Sequence, residues 1–122
     1  MARRPGGRKP LTAALTTLQV GSQDVTEADR DPESRYVIST PYATTTSVSI
    51  AFKTGVTLTG LTFMALPDPP SASAPSYSGT TSSPSGTITW AGGSKATILL
   101  TMDVPEIGET QLMLQVLREA QQ

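Results

Sequence analysis

Five carboxylates crowd one stretch of the chain and four cations another, and no histidine or cysteine stands anywhere to work with them. Residues 21–35 (GSQDVTEADRDPESR) hold Asp24, Glu27, Asp29, Asp31 and Glu33, with Val25 as the one sizeable apolar side chain. General acid–base work needs a carboxylate shielded from water, so that its pKa moves towards neutrality. A stretch this polar reads instead as a solvated loop. Asp29, Asp31 and Glu33 stand at i, i+2 and i+4, the spacing that opens a calcium loop. The required glycine is missing, Pro32 interrupts the spacing and no Glu stands at the twelfth position. Glu106 and Glu109 flank a turn in the same solvated way.

Nucleophiles are plentiful and bases are not. With 19 Thr and 13 Ser but neither His nor Cys, the chain cannot build a Ser–His–Asp triad, a cysteine nucleophile, a thiolate or imidazole metal site, or a disulfide. Asn is absent as well, which removes N-glycosylation sequons. A Ser–Lys pair on Lys53 or Lys95 is the covalent option that survives. Gly92-Gly93-Ser94-Lys95 has the look of a phosphate loop, but that loop needs GxxxxGK[ST] between a strand and a helix. Lys95 is followed by Ala96 and a strand pattern, so a hairpin turn is expected there. These residues lead us to expect no enzyme, no cofactor, no metal and no small-molecule ligand.

The remaining candidates are surfaces for partners. Trp90, Tyr36, Tyr42 and Tyr77 could form an aromatic platform for sugar or single-stranded nucleic acid. Trp90 alternates with Ile88, which reads as core; Tyr77, alone in a Pro/Ser segment, is the better candidate for an exposed contact. Residues 1–10 (MARRPGGRKP) carry Arg3, Arg4, Arg8 and Lys9 and no acid, while the other 112 residues carry five basic and ten acidic groups. The chain is a basic arm on a body of formal charge −5. Such an arm could neutralise nucleic-acid phosphates, lie on the acidic surface of a neighbouring protein, or serve as a solubilising tail. Pro5 and Pro10 keep it extended, and its composition cannot pack a core.

The elements that must position these groups are strands. At 122 residues the chain suits one domain, residues 11–122, behind the arm. Val48, Ile50 and Phe52 alternate with small polar residues, and Thr54-Gly55 then suggests a tight hairpin into Val56-Thr57-Leu58-Thr59. The alternation shifts phase at Gly60, the sign of a β-bulge or of a strand bent between two sheets. Residues 67–86 (PDPPSASAPSYSGTTSSPSG), 14 of them Pro, Ser or Gly, form a long polar loop. Strand patterns return at 87–90 and 98–104, and Pro105 and Gly108 mark a turn. Residues 11–20 fit either a helical stripe or, preferably, a strand over 16–20; residues 109–118 fit strand better than helix. The expectation is an all-β fold, an antiparallel sandwich or small barrel of six to seven strands. Aromatics supply only 5% of the chain, so the core is thin, and a thin core without disulfides gains stability from neighbours. No apolar run is long enough to span a membrane, and no apolar segment follows the basic N-terminus as a signal peptide requires.

An alternating Thr/Ser-rich chain with the arm MARRPGGRKP and a polar loop at 67–86 resembles small all-β virion proteins, especially bacteriophage capsid decoration (cement) proteins. The resemblance is architectural and transfers no residue roles. It implies a structural protein at the capsid surface, or otherwise in the cytoplasm, that stabilises contacts between shell subunits. Arg3, Arg4, Arg8, Lys9 and Tyr77 are then the partner-binding candidates, with neighbouring protein subunits as partners. The alternatives are a coat protein whose arm meets nucleic acid, and an extracellular β-sandwich binding module. A Trp90 buried in the core would count against the last.

Overall fold

Threonine, valine and isoleucine in alternation suit a pleated ribbon with one dry face, and such ribbons dominate the described chain. A computed structural model describes residues 10–33, 35–67 and 71–120. A short helix, α1 (Pro10–Ala14), leads into β1 (Leu15–Val20), β2 (Gln23–Asp24) and a 3-10 turn (Glu27–Asp29). Then come β3 (Arg35–Thr40), β4 (Thr45–Phe52), β5 (Thr57–Ala65) and β6 (Ser76–Tyr77). The last strands are β7 (Gly86–Thr89), β8 (Lys95–Val104) and β9 (Gly108–Arg118). They form two sheets, ordered β2–β1–β4–β7–β6 and β3–β9–β8–β5, and neither closes into a barrel. The fold is an all-β sandwich, as expected.

Its core lies between the sheets. β4 turns Val48 and Ile50 inward, β8 turns Ile98, Leu100 and Met102, and β9 turns Leu112, Leu114 and Val116. Each such side chain contributes about 1.5–3 kcal/mol when fully buried. Trp90 and Tyr36 are fully enclosed. Leu11 and Ala14 of α1 are buried with this cluster, and the Leu11 N–H donates to the Tyr36 hydroxyl at 3.2 Å.

Several expectations are refined. Both readings of residues 11–20 hold in part, since α1 ends where β1 begins. Residues 108–118 are a strand, paired along its length with β8. The phase shift at Gly60 is a bulge, with the register against β8 slipping between Leu58 and Gly60. One pair departs from the antiparallel pattern: β3 runs parallel to β9. β3 follows β2 of the other sheet and is joined to β9 by no hairpin, and only a hairpin forces antiparallel pairing.

The hairpin expected at Thr54-Gly55 is wrong. A turn is present, closed by Val56 N–H to the Lys53 carbonyl at 3.2 Å, but β4 and β5 belong to opposite sheets. Two-residue hairpins need primed turns, whose first central residue has positive φ. Here only the second, Gly55, does, at +90°, and that is the sign pattern of a type II turn, which splays the strands. The Gly92-Gly93 turn likewise joins β7 to β8 across the sandwich rather than as a hairpin. β8 is already paired on both sides, by β5 and β9.

Candidate functional site

The acidic stretch is occupied with holding its own backbone. Thr26 and Asp29 form a capping box on the 3-10 turn, with Thr26 N–H donating to Asp29 Oδ2 at 2.8 Å. Asp31 Oδ1 accepts N–H groups from Glu33 and Arg35, both at 2.9 Å, and its Oδ2 accepts from Arg35 Nε at 3.0 Å. Those donors favour the charged form and, led by the Arg35 amide, hold the Asp31 carboxyl below its ordinary range. Glu33 pairs with the same guanidinium at 2.9 Å. The carboxylates considered for calcium are therefore engaged by Arg35 and by amides. Among the described residues no three potential ligands cluster for a metal.

Glu27 is the one acid that reaches inward. Its Oε2 accepts the Tyr36 hydroxyl at 2.9 Å and the Thr12 N–H at 3.3 Å. Burial, reinforced by the Glu27 charge, pushes the Tyr36 phenol up to about 12. This arrangement ties α1 to the loop and to β3. It holds these three elements together.

The aromatic platform dissolves in the same way. Trp90 is wholly buried, and its indole N–H donates to Thr46 Oγ1 at 2.8 Å. Arg118, which drew no attention in the sequence, lies between the Tyr42 ring at 4.5 Å and the Trp90 ring at 5.4 Å. It donates to the carbonyls of Ala43 at 2.7 Å and Gly93 at 2.8 Å. A cation at the end of an alternating strand carries no signal of such a role, because its partners come from two distant turns. Tyr77 is corrected as an exposed contact: its ring stacks on Phe63 at 5.7 Å, and its hydroxyl donates to the Pro84 carbonyl. Burial raises its phenol to about 12. Lys53 donates to the Thr12 carbonyl, and among the described residues no serine hydroxyl bonds to Lys53 or Lys95.

What remains is the outside of the sandwich, and its two faces differ. Outward residues of the five-stranded sheet include Thr17, Gln19, Thr45, Ser47, Ser49 and Thr89, a mostly polar surface without large apolar side chains. On the four-stranded sheet, cross-strand register sets Val37, Gln115, Thr97 and Met64 in one row. The next row is Arg35, Met113, Leu99 and Thr62, and Leu117 lies between Ser39 and Lys95. Val37, Leu99, Met113 and Leu117 are half-buried by their lateral neighbours alone, and Met64 is exposed. No third layer of strand or helix covers them among the described residues. A groove of about 440 Å³ lies at one corner of this face, lined by Met64, Leu66, Lys95, Thr97 and Gln115.

The same sheet ends in an open edge. Among the described residues β5 is paired only with β8, and Thr57–Ala65 contains no charged residue. Arg3, Arg4, Arg8 and Lys9 lie outside the described residues. No helix among the described residues is long and apolar enough to cross a membrane. Compared with protein-family models, curated proteins and solved structures, the chain matches none.

Proposed function

We propose that the chain is a non-enzymatic structural protein of a viral particle, a capsid decoration protein that holds neighbouring shell subunits together. The observation that carries this reading is the uncharged open edge of β5, nine residues paired on one side only among the described residues. Soluble proteins usually blunt such an edge with lysine, proline or a bulge. β5 has the bulge near Thr59, but the run beyond it, Leu61–Ala65, keeps its outer backbone groups available to a neighbour's strand. Strand addition supplies main-chain hydrogen bonds without demanding any particular side chain. That fits an edge strand that carries no charged side chain. The arm, with Arg3, Arg4, Arg8 and Lys9, adds charge attraction to acidic surfaces of adjacent subunits.

The test is co-sedimentation. The chain is expressed with the shell protein encoded in the same genome, and assembled particles are pelleted. The reading expects stoichiometric chain in the pellet, and loss of most of it on Thr62→Lys, which places a charge on the β5 edge strand. Chain that stays in the supernatant beside intact shells contradicts the proposal.

A further inference from the structure

The outer face of the four-stranded sheet keeps its unpaired charge at its two ends. Along β8 the outward residues run Lys95, Thr97, Leu99, Thr101 and Asp103. Lys95 marks one end, while Asp103, in register with Glu109, marks the other. The only other charge in this pattern, Arg35, already pairs with Asp31 and Glu33. Leu99 lies midway between Lys95 and Asp103, in register with Met113.

We propose that a second copy of this chain docks on this face, sheet against sheet, about a two-fold axis through Leu99. The axis lies in the interface plane and runs across the strands. A rotation about it lays β8 of one copy antiparallel over β8 of the other. Lys95 of each copy then meets Asp103 and Glu109 of the partner subunit. Because the interface is isologous, both ion contacts form together. An axis along the strands would instead set lysine on lysine and acid on acid. Leu99, Met113, Val37 and Met64 supply the dry centre, with the uncharged Thr97, Thr101 and Gln115 around them; Arg35, in the same row at the β3 edge, enters the interface already neutralised by Asp31 and Glu33.

The dimensions suit a reversible dimer. Four strands give a width of about 19 Å, and the eight steps from Lys95 to Asp103 give about 26 Å. The footprint is about 500 Å² before side-chain relief, against about 800 Å² of accessible surface per partner in a standard interface. The five-stranded sheet offers Ser, Thr, Gln, Ala51 and Asp24 on its outer face and has no comparable dry centre. The inference concerns this chain alone and does not depend on the capsid reading.

The experiment is light scattering on the purified full chain, in low salt and at about 100 µM, where a modest interface of this size is populated. The wild type runs at twice the chain mass. Leu99→Glu runs at the chain mass with an unchanged circular dichroism spectrum. Lys95→Glu turns two attractions into repulsions and weakens the dimer about tenfold or more. The full swap, Lys95→Glu with Asp103→Lys and Glu109→Lys, restores it. These end residues are exposed, so the charge series keeps the test decisive if Leu99→Glu fails to fold. A monomeric wild type overturns the proposal, as does a dimer insensitive to Lys95→Glu. A charge swap that fails to restore dimerisation overturns the antiparallel arrangement.

Discussion

The two sheets bury their inner faces in the same manner and differ on the outside. On the five-stranded sheet the outward positions of β4 are Thr45, Ser47, Ser49 and Ala51, and its neighbours add more Thr and Gln. On the four-stranded sheet the corresponding positions of β8 and β9 include Leu99, Met113 and Leu117. A solvated face needs only small polar residues, whereas apolar groups outside a core indicate a surface meant to be covered. The contrast separates the residues that make the sandwich from those that the proposed dimer would cover.

The largest effect should come from crossing between the inner and outer faces of one strand. Leu114→Ala removes a fully buried side chain and should cost about 2–5 kcal/mol in urea unfolding. Met113→Ala, one residue away on the outer face, should cost below about 1 kcal/mol in the monomer, with its main effect on dimer mass. Equal losses at both positions would erase the distinction between the faces. Next comes the clamp between the sheets' ends: Arg118→Ala loses two carbonyl hydrogen bonds and two ring contacts, about 1–3 kcal/mol. Arg118→Lys should recover little of it, since an ammonium cannot reproduce the fork.

A smaller effect follows from the tyrosines. Tyr36 and Tyr77 are held neutral in the fold up to about 12, above the ordinary 10.0. Their contribution is complete below pH 10 and is lost as pH rises towards 12. Tyrosinate absorbance should therefore show late-titrating groups, and Tyr36→Phe should remove one of them. Asp31 works in the opposite sense: its lowered pKa gives stability above the ordinary 3.8, lost as pH falls below it. The smallest effect belongs to the polar face, where Ser49→Asp should change stability by less than about 0.5 kcal/mol and leave the mass unaltered.

Much of the fold is legible because alternation is a local signal. Val48–Phe52, Ile98–Val104 and Leu112–Val116 declare an inner face without any knowledge of their partners, and Gly60 declares its bulge. Which strands pair is not local. Thr54-Gly55 looks like a hairpin in sequence, but the positive φ falls on Gly55 rather than Thr54, and the chain crosses to the other sheet. The candidate site was less legible for the same reason. The outer row Val37–Gln115–Thr97–Met64 gathers from four strands, so no window of sequence contains it. Tyr77 read as exposed because Phe63, which shelters it, lies on a different strand. Glu27 read as solvated because Tyr36 approaches it through the fold.

The most direct measurement of the interface is a zero-length carboxyl–amine cross-link on the wild-type chain, mapped by mass spectrometry. Lys95 and Asp103 lie on one strand about 26 Å apart, so no bond between them can form within a single copy. The account predicts a covalent dimer joined from Lys95 to Asp103 or Glu109 of the partner subunit. A covalent dimer joined elsewhere, or none at concentrations where the chain is dimeric, would contradict it.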